Sequence, residues 1–270
     1  MNSTRAPWPE QWSARPPRAA RLVTAAFLVL CAAALAIAIR NQLTNWSSGF
    51  RYMLVFALIF AELAVLVFDA KLRPRKAGAR PLRTKAADDA TMALEMPYSR
   101  VQFTLFVLLS LTTAAPFVLG VVGALEIGHP QVGRAVLLGI AALVPLSLPV
   151  VMLKGSFAPG KVRLSPAGIH HRGWTHESFL PWGDVAEIRP LHRDGPEIWI
   201  SGRPGASWRR RQIARIWHED KLPEVPALRI PGRDLAGDPA VLLALLRHYQ
   251  DNPASRPELA TDRAKQALGA

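Results

Sequence analysis

Four long apolar stretches dominate the first 155 residues of the chain. They lie at 22–39, 52–68, 101–125 and 135–153. Each is close to the ~17–25 residues with which an α-helix crosses a hydrocarbon core. A helix of a soluble protein would keep a polar face, and these stretches have none. The pattern therefore predicts a membrane α-helical domain at 21–155 with four transmembrane helices.

The basic residues between the stretches predict the orientation of the helices. They are frequent in the N-terminal tail 1–20 and in the loop 71–100, whereas the first connection has only Arg40 and Arg51 and the third only Arg134. Lys and Arg concentrate in cytoplasmic loops. We therefore expect a multi-pass protein of the cell inner (plasma) membrane, with both termini and the loop 71–100 in the cytoplasm. An even number of spans agrees with this.

After Lys161 the pattern changes to short segments in which β-branched and polar residues alternate. We expect strands at 161–164, 169–174, 175–180, 185–191, 197–201 and 227–230. Asp238 is then placed to cap an amphipathic helix at 239–249. Short strands followed by one helix predict a small all-β barrel or sandwich capped by a C-terminal helix. The segment 202–226 reads as an insertion between strands, and 253–270 as a C-terminal tail.

Two motifs of this polar region resemble those of bacterial pleckstrin-homology (PH)-like domains. They are LSPAGI at 164–169 and FLPWGDVAEI at 179–188, and the closing Leu-rich helix is similar as well. The resemblance covers 161–252. It implies two nearly orthogonal sheets capped by a helix, in a cytoplasmic PH-like domain of a kind that often follows transmembrane helices. Such a resemblance indicates a fold more than an activity.

Composition supports a membrane protein, and it argues against an acidic disordered chain and a secreted disulfide scaffold. Half of the residues (50%) are hydrophobic, 20% are charged and the formal net charge is +13. The single cysteine, Cys31, excludes an internal disulfide and a cysteine-based metal site. His170, His171 and His176 are the nearest approach to a metal-ligand set, but strand alternation places the first two on opposite faces. We find no catalytic motif. The sequence thus predicts no enzyme, cofactor or metal.

One candidate site lies inside the membrane. Glu62 is an acid within the second stretch, and an acid in that position is a functional candidate by default. Depth along the helices places Glu62, Ser110 and Ser147 at a similar level, where they could share hydrogen bonds. The alternatives are a small transporter or channel subunit that uses Glu62, or a Glu62 that only holds helices together. A transporter would lose its function in Glu62→Gln, whereas an interaction module would tolerate that change.

The other candidate site is a pair of basic stretches that could bind lipid or a protein partner. Their members are Lys71, Arg73, Arg75, Lys76, Arg80, Arg83 and Lys85 in the loop, and Arg209, Arg210, Arg211 and Arg215 in the polar region. Juxtamembrane clusters of this kind attract the anionic inner leaflet. Because like charges repel, we expect the two stretches to meet the membrane or an acidic partner rather than each other. Nucleic acid is disfavoured, since no aromatic platform lies within the loop.

The sequence as a whole predicts an interaction module. Four helices would anchor a cytoplasmic PH-like domain that binds an unknown protein partner or an anionic membrane surface. A small transporter or channel subunit is the alternative. The sequence leaves homo-oligomer formation open.

Overall fold

The chain folds into two compact units. The computed structural model describes residues 8–12, 18–44, 47–72, 82–86, 92–127, 131–193, 195–214 and 223–261. A helical unit comprises 16–73 and 101–155, and a β unit comprises 1–15, 74–100 and 156–270. The β unit is therefore assembled from three separate parts of the chain.

The helical unit contains the four expected spans. They are α1 (Arg18–Leu43), α2 (Ser47–Val67), α3 (Arg100–Ile127) and α4 (Val132–Leu153), and α2 ends in a π-helical turn at Phe68–Leu72. All four are long and apolar enough to cross a membrane. Their apolar side chains are exposed on a scale that water would not tolerate, since Leu137 is 70% exposed and Leu153 is 88% exposed. The predicted multi-pass membrane part is confirmed by these features.

Polar contacts between helices explain two of the residues that break the apolar pattern. Pro149 has no N–H to donate to the carbonyl of Pro145, four residues earlier in α4. The hydroxyl of Ser110 on α3 donates a hydrogen bond to that carbonyl. A neighbouring helix thus satisfies a backbone group that a proline has freed, as apolar surroundings require. The α1–α2 pair packs through Phe27 and Phe60, whose ring centroids lie 6.5 Å apart.

The β unit has nine strands among the described residues, in two antiparallel sheets. The strands are β1 (Arg83–Ala86), β2 (Met92–Pro97), β3 (Lys161–Ser165), β4 (Gly168–Arg172), β5 (His176–Pro181), β6 (Val185–His192), β7 (Pro196–Gly202), β8 (Arg209–Gln212) and β9 (Ala227–Pro231). One sheet has the order β1-β2-β3-β4-β5-β8 and the other β6-β7-β9. The two sheets do not close into a barrel, so the predicted barrel is not formed by the described strands.

The prediction that 71–100 is a loop is wrong for its second half. Strands β1 and β2 lie there, and β2 pairs with β3 so that Leu94 faces Leu164 and Met96 faces Val162. Leu94 and Met96 are buried. Burial of this apolar face, together with pairing of an otherwise open edge of β3, accounts for the recruitment of the segment. A domain limited to 161–252 would lack these two strands.

The segments that bracket the predicted domain also contribute to its core. Helix α5 (Pro239–Asp251) starts as expected, with the Asp238 carboxylate accepting a hydrogen bond from the Ala240 N–H at 2.8 Å. The 3₁₀ helix at Pro253–Ala260 packs against β2 and β3 and buries Leu259 completely. The prediction of a tail from residue 253 is therefore wrong up to residue 260, and 262–270 lie outside the described residues. Likewise 202–226 is more than an insertion, because β8 pairs with β5.

The N-terminal segment, predicted to be a tail, is anchored to the β unit. Trp12 ends a short 3₁₀ helix at Glu10–Trp12 and is only 3% exposed. Its indole N–H donates a hydrogen bond of 2.8 Å to the carbonyl of Leu191 on β6. Since β6 is an edge strand, this contact covers part of an edge that would otherwise be open. Residues 1–7 and 13–17 lie outside the described part of the chain.

Candidate functional site

The outer face of the six-stranded sheet carries a dense set of charges, which we call the charged face. Strand register places Arg83, Glu95, Arg163, His170, Phe179 and Arg209 in one row across all six strands. A second row contains Lys161, Arg172, Glu177 and Arg211. The opposite face is apolar in the row of Leu94, Leu164, Ile169 and Leu180, all at most 1% exposed. Strand alternation thus separates an apolar core from a face with six basic and two acidic side chains.

Ion pairs hold the centre of the charged face. The Arg163 Nε lies 2.9 Å from the Glu95 carboxylate, and the Lys161 Nζ lies 3.8 Å from the same group. Both members of the Glu95–Arg163 pair are buried. A buried carboxylate needs such partners, because removing an ion from water is costly. This pair therefore fixes the part of the face that β2 and β3 form.

At the other end, two arginines share one carboxylate. Glu177 on β5 lies 3.4 Å from the Arg172 guanidinium and 2.8 Å from that of Arg211. The Arg211 side chain is 73% exposed, so its pair with Glu177 is worth only ~1 kcal/mol or less. The single carboxylate of Glu177 therefore cannot balance both guanidinium groups.

Arg209 is held by an aromatic ring instead of a carboxylate. Its guanidinium lies 4.8 Å from the ring centroid of Phe179, in a cation–π contact. Phe179 in turn lies over Gly168, where an added Cβ would come within 2.8 Å of the ring. Among the described residues, no acidic side chain forms an ion pair with Arg209. The glycine therefore makes room for the ring, and the ring positions an uncompensated arginine.

A cavity of about 560 Å³ opens on this face. Its lining includes Arg163, His170, Glu177, Phe179, Arg209 and Arg211. Ligand pockets typically measure ~300–1,000 Å³. The cavity therefore has the size of a small-molecule site, with positive charge concentrated on its β5–β8 side.

The structure places the predicted basic residues at opposite edges of this sheet. Arg83 lies on β1, whereas Arg209, Arg210 and Arg211 lie on β8, at the other end of the strand order. Arg210 alternates with Arg209 along β8 and donates a hydrogen bond of 2.6 Å to the Pro223 carbonyl, and it also lines the cavity. Lys71 belongs to the π-helical turn after α2. The remaining predicted positions, Arg73, Arg75, Lys76, Arg80 and Arg215 and the side chain of Lys85, lie outside the described residues.

The intramembrane candidates make different contacts from those expected. The Glu62 carboxylate accepts a hydrogen bond of 2.6 Å from the hydroxyl of Thr112 on α3. Ser110 donates to the Pro145 carbonyl, and Ser147 donates to the Val144 carbonyl at 2.7 Å. Each group thus makes a contact that stabilises a helix or a helix pair. Sequence reasoning missed Thr112 because a threonine in an apolar stretch does not stand out.

His170 and His171 lie on opposite faces of the sheet, as strand alternation predicts. His170 faces the cavity, whereas His171 and His176 lie in the interior with ring centroids 5.2 Å apart. The His171 Nε2 is 2.6 Å from the hydroxyl of Tyr98, the residue that follows β2. Within the described part of the chain, no group of three or more metal-ligating side chains comes together.

Comparison of the chain with protein-family models, with curated proteins and with solved structures gives no match. Its function therefore has to be inferred from its own residues.

Proposed function

We propose that this chain is a bacterial inner-membrane protein whose four helices hold a PH-like interaction module at the cytoplasmic face. The module would bind an anionic membrane surface or an acidic protein partner, and the proposal assigns it no catalytic step. Two antiparallel sheets with a closing helix support the PH-like assignment, together with the motifs at 164–169 and 179–188.

The observation that carries the proposal is the composition of the charged face. Six basic side chains and two acidic ones occupy its two rows. Clustered arginine attracts anionic surfaces, by about 1 kcal/mol per residue near a membrane. Lys161 and Arg172 lie directly opposite each other on this face, and like charges in that position are destabilising unless an anion offsets them.

The assembly of the β unit supports the predicted topology. Trp12 precedes α1, strands β1 and β2 lie between α2 and α3, and β3 to β9 follow α4. These parts fold together, so they lie on one side of any membrane that the helices cross. The basic residues at 71–100 favour the cytoplasm as that side.

Cysteine labelling in a Cys31→Ser background tests the topology. An impermeant reagent should label Gln131→Cys, between α3 and α4, in intact cells. It should label Ser207→Cys, in the β unit, only after the membrane is permeabilised. Labelling of Ser207→Cys in intact cells would contradict the cytoplasmic placement.

Hydrogen–deuterium exchange of the full chain in lipid nanodiscs tests the interaction. Amides of β8 should exchange more slowly in discs with anionic lipid than in zwitterionic discs, and high salt should remove the difference. Replacing Arg209, Arg210 and Arg211 by Gln should abolish the effect. Replacing the exposed Arg193, Arg203 and Arg247 by Gln removes the same charge elsewhere on the unit and should not. If both triple variants lost the slower exchange of β8 in anionic discs to the same extent, a specific role for β8 would be refuted.

A further inference from the structure

We propose that the cavity on the charged face is a binding site for a phosphate group, carried by a soluble phosphorylated compound or by a lipid headgroup. This inference rests on the proposed function, because it names the ligand chemistry of the same face. The phosphate would lie between Arg209 and Arg211, and the body of the ligand would extend across β5 and β4 toward Arg163.

Charge balance favours a phosphate over a single carboxylate. Arg209 and Arg210, which both line the cavity, form no ion pair with an acidic side chain among the described residues. The β8 side of the cavity thus presents at least two positive charges that no carboxylate balances. A phosphate monoester carries about −1.5 to −2 at neutral pH and matches them, whereas a carboxylate carries one charge.

The spacing of Arg209 and Arg211 suits contact with a single phosphate group. Arg209 and Arg211 are two residues apart on the same face of β8, which places their backbones about 7 Å apart. Guanidinium forks at that spacing can approach one phosphate from two sides, with paired N–H···O contacts. Arg209 is further held against Phe179, at 4.8 Å from the ring centroid, so part of its freedom is already lost before a ligand arrives.

Arg163 has a different place in the site. Its strand, β3, is three strand spacings or about 14 Å from β8. One phosphate between Arg209 and Arg211 is therefore too far away for Arg163 to share it. Its guanidinium is already engaged by Glu95 at 2.9 Å. Together with His170, which also lines the cavity, it would contact neutral polar groups on the body of the ligand. The site therefore fits a phosphate attached to a polar body better than an isolated inorganic ion.

Calorimetric titration of the full chain in zwitterionic nanodiscs tests the inference. The probes are pyrophosphate and glycerol 3-phosphate, with citrate at matched ionic strength as a carboxylate control. We expect the phosphate compounds to bind and citrate to bind at least about tenfold more weakly. Arg209→Gln and Arg211→Gln should each weaken binding about tenfold. Arg203→Gln, an equal charge change outside the cavity, should leave binding unchanged.

A variant of Phe179 tests the position of Arg209 without changing the charge of the site. Phe179→Leu keeps Arg209 but removes the ring beneath it. Binding of the phosphate compounds should weaken, while its salt dependence should stay that of the wild type because the number of charges is unchanged. Unchanged affinity in Phe179→Leu would overturn the role of the ring.

A second arm distinguishes the source of the phosphate. If nanodiscs with phosphatidic acid slow exchange at β5 and β8 while the soluble compounds do not bind, the headgroup is the ligand. If neither arm shows binding that Arg209→Gln weakens, or if citrate binds as well as glycerol 3-phosphate, the phosphate site is refuted. Even after that result, the proposed interaction with anionic surfaces would stand if β8 amides still exchanged more slowly in anionic discs. Conversely, if soluble phosphates bound but lipid composition did not change the exchange of β8, the interaction with anionic surfaces would be refuted and the phosphate site would stand.

Discussion

Trp182 provides the sharpest test of how the β unit is held together. It lies in the 3₁₀ turn between β5 and β6, is 3% exposed, and its ring centroid is 6.4 Å from that of Tyr249 on α5. Its indole N–H donates a hydrogen bond of 2.8 Å to the Ser165 carbonyl at the end of β3. One side chain thus connects the larger sheet, the turn and the closing helix.

Two substitutions separate packing from hydrogen bonding at this position. Trp182→Ala removes the whole ring and should lower the free energy of unfolding of the β unit by ~3–5 kcal/mol. Trp182→Phe retains most of the packing but leaves the Ser165 carbonyl without this donor, at a cost of about 1–3 kcal/mol. Trp208→Phe is the matched control, because the Trp208 indole N–H makes no hydrogen bond among the described residues. Because no hydrogen bond is lost there, Trp208→Phe should destabilise the unit less than Trp182→Phe does.

Hydrogen–deuterium exchange of the full chain in nanodiscs measures these costs. The amides of Ile198 and Ile200 on β7 are suitable reporters, since both side chains are 0% exposed. Trp182→Ala should accelerate their exchange at least roughly a hundredfold, since each ~1.4 kcal/mol is a factor of ten. An acceleration of less than about tenfold would refute the view that this indole holds the sheets and helix together. Equal effects of Trp182→Phe and Trp208→Phe would refute the contribution of the hydrogen bond.

Two further predictions concern the same unit. Gly160→Ala should destabilise it by ~1–3 kcal/mol, because a Cβ there would lie 2.5 Å from a Tyr98 ring carbon and 2.7 Å from the Arg172 carbonyl. Gly183→Ala is the control, because no heavy atom lies within 4 Å of a Cβ at that position. An equal effect of both variants in exchange experiments would contradict the steric argument. Burial, and then the charge of Glu258, raise the pKa of the Tyr249 phenol. The folded unit thus holds this proton more tightly than the unfolded chain, so the associated stability is present below pH ~10 and is lost as pH rises through the folded pKa. Denaturant unfolding at rising pH should show this loss in the wild type and not in Tyr249→Phe, and identical pH profiles would refute it.

Local patterns were sufficient to predict the four spans, the hairpin of β4 and β5, and the capped helix α5. Each of these depends on residues that are close in the sequence: a continuous apolar run, an alternation across Gly173, or Asp238 beside Pro239. The period-two pattern of MALEMP at 92–97 was also present, with Leu94 and Met96 as its apolar positions. The segment was nevertheless assigned to a cytoplasmic loop, because basic residues are frequent at 71–85.

The arrangement of the candidate site was decided by tertiary structure alone. A strand acquires its neighbours through backbone hydrogen bonds, which carry no side-chain signal about the partner. The pairing of β8 with β5 is therefore what brings Arg209 over Phe179, and the pairing of β2 with β3 is what joins Glu95 to Arg163. Similarly, Ser110 meets the Pro145 carbonyl only because α3 and α4 pack side by side. The sequence determined which segments are apolar, extended or capped, because those properties are local. It did not determine which charges share a face, because that depends on strand order and register between distant segments, such as those of Glu95 and Arg163, which are 68 residues apart.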